Sequence, residues 1–425
     1  MLGPVVVPDF PAMDDLPARE TQPGSGSQTQ PHVDRHSSWI AKKVSGIRSG
    51  SQLLPWLIAG ALAFAVFAGI YSYRQTARFA ARAAGGHAAK STTPPTPSPE
   101  VQDLYLKGRY YWSKRNPDDL NKAVDYFTQA IVKDPNYAAP FVGLADSYNL
   151  LREFSSMPPD QAFPRALAAA QKAVDLDDSS AEAHNSLAFA TFYWNWDAPT
   201  AEHEFKRALR LNPNFVQGRH WYATFLLAIE RFPEAVDQIE LARKLDPSSN
   251  SILADKGLIL WRAGMKDEAV ALLKQLEASD PTLASPHQYM AQVFFETKNY
   301  RGYIAELKRA AQLRNDRSAL AVAEAAERGY AAGGLRGMRQ EMLPVQEKFV
   351  AQGDGSPFDL ALTYAALGRN DDALRCLEAA LDKRELRLLF LDENLEFNAL
   401  HDDPAYREIL AKVQARLPKP VPQHQ

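Results

Sequence analysis

The feature that most constrains this sequence is a repeat of 34 residues. Two series of residues follow this interval, namely Ala235, Ala269 and Tyr303, and Pro213, Pro247 and Pro281. Internal repeats of about 20 to 50 residues are typical of solenoids and arrays, and about 34 residues accommodate two antiparallel helices with their turns. The interval therefore predicts an α-solenoid with one pair of helices in each repeat.

Side chains at fixed places inside the repeat support the helix pairs. One repeat contains Ala223, Leu226, Ala235, Ile239, Ala242 and Pro247, and the next has Gly257, Leu260, Ala269, Leu273, Leu276 and Pro281 at the same offsets. The small residues of the first helix let the second helix approach closely. The proline ends the second helix because it pushes the preceding Asp or Asn out of the α-helical region.

This pattern resembles the tetratricopeptide repeat. The resemblance implies an all-α fold, namely a right-handed α-solenoid of tandem helix hairpins. We expect about six units in residues 101–317 and a degenerate helical repeat in 318–353, where Gly333, Gly334 and Gly337 interrupt the pattern. The last unit and a C-terminal cap would follow in 354–417, and residues 418–425 would form a disordered tail.

An uncharged apolar run precedes the repeats. No charged residue lies between Arg48 and Arg74, and residues 53–72 would form about 30 Å of helix, which is enough to cross a bilayer. A secretory signal peptide would begin nearer the start of the chain. A buried core helix is the other alternative. We expect a transmembrane helix in 51–74, after a disordered tail in 1–50 and before a Pro/Ala-rich linker in 75–100.

The residues around this span leave its orientation open, because Lys and Arg are balanced on its two sides. Ala61, Ala65 and Gly69 form a stripe of small residues along one side of the helix. Such a stripe lets two spans pack together. A homodimer through the transmembrane helix is therefore an alternative to a monomer.

The sequence lacks the motifs of common catalytic sites. It contains no GxxxxGK[ST] phosphate loop, no HExxH and no GxSxG. Cys376 is the only cysteine and is expected to be a small buried hydrophobe. His184, His203 and His220 come from neighbouring repeats, but none has a second histidine at helical spacing, so they predict no metal site. The sequence predicts neither an enzyme nor a cofactor.

Longer stretches resemble one group of repeat proteins. The runs LYLKGRYYWSKR and HWYATFLLAIERFPEAVDQIELARKLDPSS are similar to the tetratricopeptide sensor half of bacterial membrane-bound regulators. Those regulators place a cytoplasmic effector, usually a winged-helix DNA-binding domain, before a single span. The segment before the span here is too short and too polar for a winged helix. The resemblance therefore implies the sensor half without that domain, in the bacterial inner membrane and with a periplasmic array.

The same resemblance implies a binding face. The concave side of such a solenoid is formed chiefly by the first helix of each repeat. By analogy it carries Asn185, Phe189, Phe192, His220, Thr224, Leu227, Leu258, Trp261, Gln292 and Phe295. This groove is rich in aromatic and amide groups and poor in basic ones, which argues against a ligand with an acidic C-terminus. The alternative for Phe189, Phe192 and Trp261 is that they pack between repeats.

Charge and organisation restrict the function. The formal net charge is −3, and the array has no basic patch of the kind that binds nucleic acid. The favoured interpretation is a membrane-anchored, non-catalytic scaffold that binds a protein or peptide partner in its concave groove. The alternative is the ligand-sensing receptor array of a membrane-bound bacterial signalling or transcription-regulatory system.

Overall fold

The computed structural model describes residues 96–154, 157–392 and 394–415, which belong to one compact body, Thr93–Gln425. Its α-helices are α1 Pro99–Trp112, α2 Pro117–Lys133, α3 Ala138–Phe154, α4 Pro159–Leu176, α5 Ala181–Ala190, α6 Ala198–Leu211, α7 Val216–Ala228, α8 Phe232–Leu245, α9 Asn250–Arg262, α10 Lys266–Ser279, α11 Ala284–Glu296, α12 Tyr300–Arg314, α13 Arg317–Ala351, α14 Pro357–Ala366, α15 Asn370–Asp382 and α16 Pro404–Gln414. Two 3₁₀ turns, Leu386–Phe390 and Leu395–Leu400, precede α16. These residues contain no strand, and the all-α class is confirmed for them.

The helices pack in consecutive pairs, and each pair is one unit. Units 1 to 6 are α1/α2, α3/α4, α5/α6, α7/α8, α9/α10 and α11/α12, unit 7 is the bent helix α13, and unit 8 is α14/α15. The second helix of each unit also packs on the first helix of the next. A solenoid is held together by such contacts, because it buries apolar surface only between neighbours.

The first helices form a layer of their own. From α1 to α11, each first helix packs against the first helix of the following unit. We call the side of the array that these helices share the inner face. The right-handed sense of the solenoid stays a prediction.

Unit 3 contains one residue more than units 4 and 5 between the small residues of its two helices. Thirteen positions separate Ala188 from Ala201, whereas twelve separate Ala223 from Ala235. The structure accommodates the extra residue in a π-helical turn at the end of the first helix, Thr191–Asn195. The second helix of the unit therefore keeps its place in the stack.

An Asp or Asn follows the second helix in each of units 1 to 5. Its side-chain oxygen accepts a hydrogen bond, 3.0 to 3.3 Å long, from the backbone N–H two residues later. The acceptors are Asp134, Asp177, Asn212, Asp246 and Asp280. Such turns hold the chain out of the helical conformation. They therefore set where each second helix ends and where the next first helix begins.

Small residues on the first helices allow close packing against the second helices. A β-carbon at Gly108 would lie 2.5 Å from Cε1 of Phe127, and one at Gly257 would lie 2.5 Å from Cδ2 of Leu273. Alanines at the corresponding positions of other units, Ala145, Ala188, Ala223, Ala291 and Ala361, are at most 2% exposed. The size of this residue therefore sets how close the two helices of a unit can approach.

The segment 318–353, which interrupts the sequence pattern, is a hairpin within α13. The backbone leaves the helical conformation at Gly333 and at Gly334, whose φ is 61°. The two arms then pack so closely that a side chain at Gly329 would collide with the carbonyl group of Gly337. The same glycines that weaken the repeat pattern thus form the turn and the closest contact of unit 7.

Several sequence predictions fall outside the described residues. The proposed span 53–72, the tail 1–50, most of the linker 75–100 and the tail 418–425 belong to this part of the chain. Within the ranges that the structure describes, no helix is both long and apolar enough to cross a membrane.

Gly257→Val should destabilise the array, because the new side chain would enter the space that Leu273 occupies. Overpacking of this kind costs about 1–3 kcal/mol. Urea unfolding followed by circular dichroism measures the change in the free energy of unfolding. The matched control is Ala271→Val, at an exposed position of α10, which should change it by about 0.5 kcal/mol or less. Equal effects of the two valines would contradict the packing argument.

Candidate functional site

The ten predicted groove residues all lie on the first helices of units 3 to 6, with Phe192 in the π-helical end of unit 3. Six of them are at most 8% exposed, namely Asn185, Phe189, Phe192, His220, Leu227 and Trp261. The other four, Thr224, Leu258, Gln292 and Phe295, are half-buried. Partner binding by the ten residues as a set stays a prediction.

The buried aromatic residues of this set pack within the array. The ring centroid of Phe189 lies 4.4 Å from that of Trp221, and the centroid of Phe192 lies 4.8 Å from that of Phe225. Trp261 is 4% exposed. These rings therefore join the first helices of neighbouring units, as the packing alternative expects.

The half-buried residues lie at matching positions on neighbouring first helices. Thr224, Leu258 and Gln292 are 34 residues apart, so they occupy the same place in units 4, 5 and 6. Phe295 lies one helical turn beyond Gln292 on α11. We call these four residues the inner stripe. The stripe offers a hydroxyl, an aliphatic side chain, an amide and an aromatic ring to a ligand.

A buried carboxylate joins units 1 to 4. Asp146 on α3 is 2% exposed. Its Oδ1 accepts a hydrogen bond from Ser186 Oγ at 2.5 Å, and its Oδ2 accepts one from Gln217 Nε2 at 3.0 Å. Arg109 Nη1 lies 4.0 Å from Oδ2. Since Gln217 belongs to the second unit after that of Asp146, the inner face must curve tightly here.

The ionisation of Asp146 depends on its surroundings. Burial raises the pKa of its carboxyl group to about 6, because the charged form loses its hydration. The hydrogen bond from Ser186, the charge of Arg109 and the hydrogen bond from Gln217 oppose this effect. Near neutral pH the array therefore contains a buried carboxylate that is close to its titration range.

A second polar group joins units 4 to 6. His220 Nε2 lies 2.6 Å from Asp255 Oδ2, and Tyr289 donates a hydrogen bond from its hydroxyl to Asp255 Oδ1 at 2.5 Å. His220 is 3% exposed. This predicted groove residue therefore takes part in a bond between units.

The sequence reasoning missed the charged and polar members of the inner face, namely Arg109, Asp146, Ser186, Gln217, Asp255 and Tyr289. The repeat register contains a signal for some of them. Asp146 directly follows the small residue Ala145, just as Thr224 follows Ala223. Applying the register to every unit would have placed this carboxylate on the inner face.

Asn185 is fully buried, and neither its Oδ1 nor its Nδ2 has a hydrogen-bond partner among the described residues. Asn149 Nδ2 donates to the carbonyl oxygen of Ser186 at 3.4 Å, whereas Asn149 Oδ1 has no partner within the same part of the chain. Buried amides usually satisfy such groups with protein, water or a ligand. Units 2 and 3 therefore contain buried amide groups that have no hydrogen-bond partner among the described residues.

The other residues considered for chemistry are in different environments. His184 Nδ1 lies 2.5 Å from Glu204 Oε2, His220 binds Asp255, and His203 is exposed. Burial raises the pKa of the Cys376 thiol to about 11. The thiol is therefore protonated at neutral pH and is a poor nucleophile.

The segment after α15 returns to the first helices of earlier units. We call residues 384–396, without the undescribed residue 393, the closing segment. Arg384 donates from Nη1 to the carbonyl oxygen of Trp194 at 2.7 Å, and its guanidinium carbon lies 4.3 Å from the Trp194 ring centroid. Arg262 lies 5.4 Å from the ring centroid of Phe390. The closing segment thus contacts the ends of the first helices in units 3 and 5.

The closing segment also borders the inner stripe. Arg339 on α13 donates from Nη2 to Glu396 Oε1 at 2.8 Å, and its guanidinium carbon lies 5.3 Å from the ring centroid of Phe295. Arg339 is 5% exposed. A buried arginine therefore connects the stripe to the C-terminal end of the array.

Asp146→Asn should remove a pH dependence of stability. Because burial raises the pKa of Asp146 from its ordinary value of 3.8 to about 6 in the folded protein, the wild type loses stability as the pH rises between these values, by about 3 kcal/mol. Relative to the wild type, the variant should therefore gain most of this amount, about 2.4 kcal/mol, between pH 4 and pH 7.5. Urea unfolding at the two pH values measures the difference.

The control for this comparison is Asp237→Asn, at an exposed position on α8. It should keep the same offset from the wild type at both pH values. An Asp146→Asn variant whose offset is also constant would show that burial does not control this carboxylate.

Comparisons with known proteins show what the repeat is similar to. Residues 223–284 match the model of the tetratricopeptide repeat family. The transcriptional regulator HilA of Salmonella typhimurium is 25% identical over 175 residues, which are 41% of this chain and 32% of HilA. Superkiller protein 3 of Schizosaccharomyces pombe is 24% identical over 188 residues, which are 43% of this chain and 13% of that protein.

The matched residues thus span about a third of HilA and a smaller share of Superkiller protein 3. Among solved structures, yeast Tom70 is similar with a TM-score of 0.44 and 17% identity, covering 76% of this chain and 69% of Tom70. The family match falls on units 4 and 5, and the same pairing of helices continues on both sides of them. Residues 223–284 of this chain are therefore tetratricopeptide repeats.

Proposed function

We propose that the chain is a non-catalytic scaffold whose array binds a protein or peptide partner along the inner stripe. The observation that carries this proposal is the half-buried row Thr224, Leu258, Gln292 and Phe295 on three successive units. Tetratricopeptide arrays present extended concave surfaces for partners. Here the aromatic residues among the other predicted groove residues are occupied by packing, so the stripe is the accessible part of the inner face on which a peptide can lie.

The chemistry of the stripe fits an extended peptide. Thr224 and Gln292 can exchange hydrogen bonds with a peptide backbone, and Leu258 and Phe295 can cover apolar side chains. Gln292 Nε2 already donates to Glu296 Oε1 at 3.0 Å, which holds the amide at the surface. The partner therefore needs apolar residues alternating with accessible backbone amides.

The membrane is the second part of the proposal. Residues 53–72 are uncharged and long enough to cross a bilayer, and the small residues Ala61, Ala65 and Gly69 suit a homodimer contact. The resemblance to the sensor half of bacterial membrane-bound regulators supports the inner membrane and a periplasmic array. In this arrangement the span confines the scaffold and its partner to the membrane surface.

A second candidate is a ligand-sensing receptor array. The observation that favours it is the fully buried Asn185, whose amide lacks a hydrogen-bond partner in the described residues. A small polar ligand could satisfy this amide together with Asn149 Oδ1. The similarity to HilA, a transcriptional regulator, covers 41% of this chain and agrees with a regulatory output.

A photoreactive amino acid at Leu258 should crosslink the full-length chain to one polypeptide in its native cells, because this position lies in the middle of the inner stripe. Thr224→Arg, which introduces a charge into the same stripe, should reduce the adduct about tenfold or more. Immunoblotting and mass spectrometry of the adduct measure both outcomes.

The matched control places the photoreactive group at Leu241, which is 37% exposed on the second helix of unit 4. It should give no adduct of the same mass. Identical adducts from Leu258 and Leu241, or none from Leu258, would contradict partner binding on the inner stripe. In that case addition of polar metabolites in a thermal shift assay tests the receptor alternative.

Protease added to intact spheroplasts should digest the array, since we propose that it lies in the periplasm. Immunoblots against the N-terminal and C-terminal ends follow the digestion. Detergent-lysed spheroplasts are the control for protease access. Protection of the array until lysis would place it in the cytoplasm and reverse the proposed orientation.

A further inference from the structure

Units 3 and 6 contain the same histidine and glutamate pair. His184 and His287 each lie four residues before the small residue of the first helix, Ala188 or Ala291. Glu204 and Glu306 each lie three residues after the equivalent position of the second helix, Ala201 or Tyr303. His184 Nδ1 is 2.5 Å from Glu204 Oε2, and His287 Nδ1 is 2.6 Å from Glu306 Oε2. The pair is therefore an element that two units share.

Unit 6 differs from unit 3 by a third residue. Glu277, on the second helix of unit 5, places its Oε1 3.5 Å from the same His287 Nδ1. The corresponding residue on the second helix of unit 2 is Val174, since Val174 follows Ala173 as Glu277 follows Leu276. The internal repeat thus supplies a version of this site with one carboxylate at the histidine Nδ1 and a version with two. In unit 3 the other carboxylate oxygen, Asp178 Oδ1, lies 3.5 Å from the opposite nitrogen, His184 Nε2.

The single hydrogen on one imidazole nitrogen cannot donate a good hydrogen bond to two carboxylates at once. The hydrogen on His287 Nδ1 is best placed for Glu306, which is the closer acceptor. Glu277 Oε1 is inaccessible to solvent and has no hydrogen-bond donor within the described residues. The side chains of Glu277 and Glu306 are only 18% and 20% exposed. This arrangement concentrates negative charge that a cation would balance.

We propose that Glu277, His287 and Glu306 form a binding site for Zn²⁺ that connects units 5 and 6. Their ligand atoms lie within 4.8 Å of one another. Zn²⁺ binds histidine nitrogen and carboxylate oxygen at about 2.0–2.2 Å, usually with four ligands. Small side-chain rotations bring the three atoms to that distance. The ion binds the lone pair of Nδ1 in the neutral imidazole, whose single proton is then on Nε2, and water fills the fourth position.

The position of the site gives it a structural role. Glu277 lies on α10, and His287 and Glu306 lie on α11 and α12. An ion held by all three therefore bridges successive units. Because α11 also carries Gln292 and Phe295, the bridge would fix the far end of the inner stripe relative to unit 5. This inference is independent of what the stripe binds.

The experiment compares Zn²⁺ binding to the full-length, untagged wild type and to Glu277→Val, which converts the site to the arrangement of unit 3. Equilibrium dialysis with buffered free Zn²⁺ at pH 7, followed by elemental analysis, counts the bound ions. The wild type should bind one ion more per chain than the variant. Zn²⁺ should also raise the melting temperature of the wild type, and this shift should be absent in Glu277→Val.

Two further variants make the test specific. His184→Ala removes the histidine of the unit 3 pair and should bind as many ions as the wild type. Glu277→Gln keeps the shape of the side chain, replaces Glu277→Val if that variant does not fold, and should also lose one ion. Equal numbers of ions in the wild type and the Glu277 variants would overturn the proposal.

Discussion

The array depends on the close contact between a small residue of each first helix and a large apolar residue of its second helix. A solenoid has no central core, so its apolar surface must be buried by close packing within each unit and against the neighbouring units. At Gly257 and Leu273 the packing leaves no room for an undisplaced β-carbon. This contact sets the separation of the two helices, and that separation lets the next first helix stack beside them. The inner face is a consequence of this stacking.

The inner face has two regions with different properties. In units 1 to 4, Asp146 accepts hydrogen bonds from Ser186 and Gln217 of neighbouring units and is itself buried. In units 4 to 6, the bonds between His220, Asp255 and Tyr289 join the helices but leave the inner stripe half-buried. Buried polar bonds are directional, so they fix the curvature as well as the stability of the array. The buried polar bonds of units 1 to 4 thus stabilise the face, whereas units 4 to 6 contain the part of it that a ligand can reach.

The C-terminal end of the described chain completes this surface. Arg384 of the closing segment contacts Trp194. Glu396 of the same segment accepts a hydrogen bond from Arg339, which lies beside Phe295 at the edge of the inner stripe. Terminal repeats of a solenoid expose apolar surface unless a cap covers them. Here the cap also reaches units that are distant in sequence, which makes it part of the boundary of the proposed binding surface. A partner on the stripe would therefore meet the closing segment beside Phe295.

The sequence by itself determined the helix pairs and the first helices that carry the inner face, because both follow from a local period and from small residues such as Ala223 and Gly257. It left open whether Phe189 and Trp261 pack or bind, because a period gives the direction of a side chain but not what covers it. Only the tertiary structure decided this burial and the contacts of Asp146 with Gln217, 71 residues away, and of Arg384 with Trp194, 190 residues away. Such contacts depend on the curvature accumulated over several units, which no single repeat encodes.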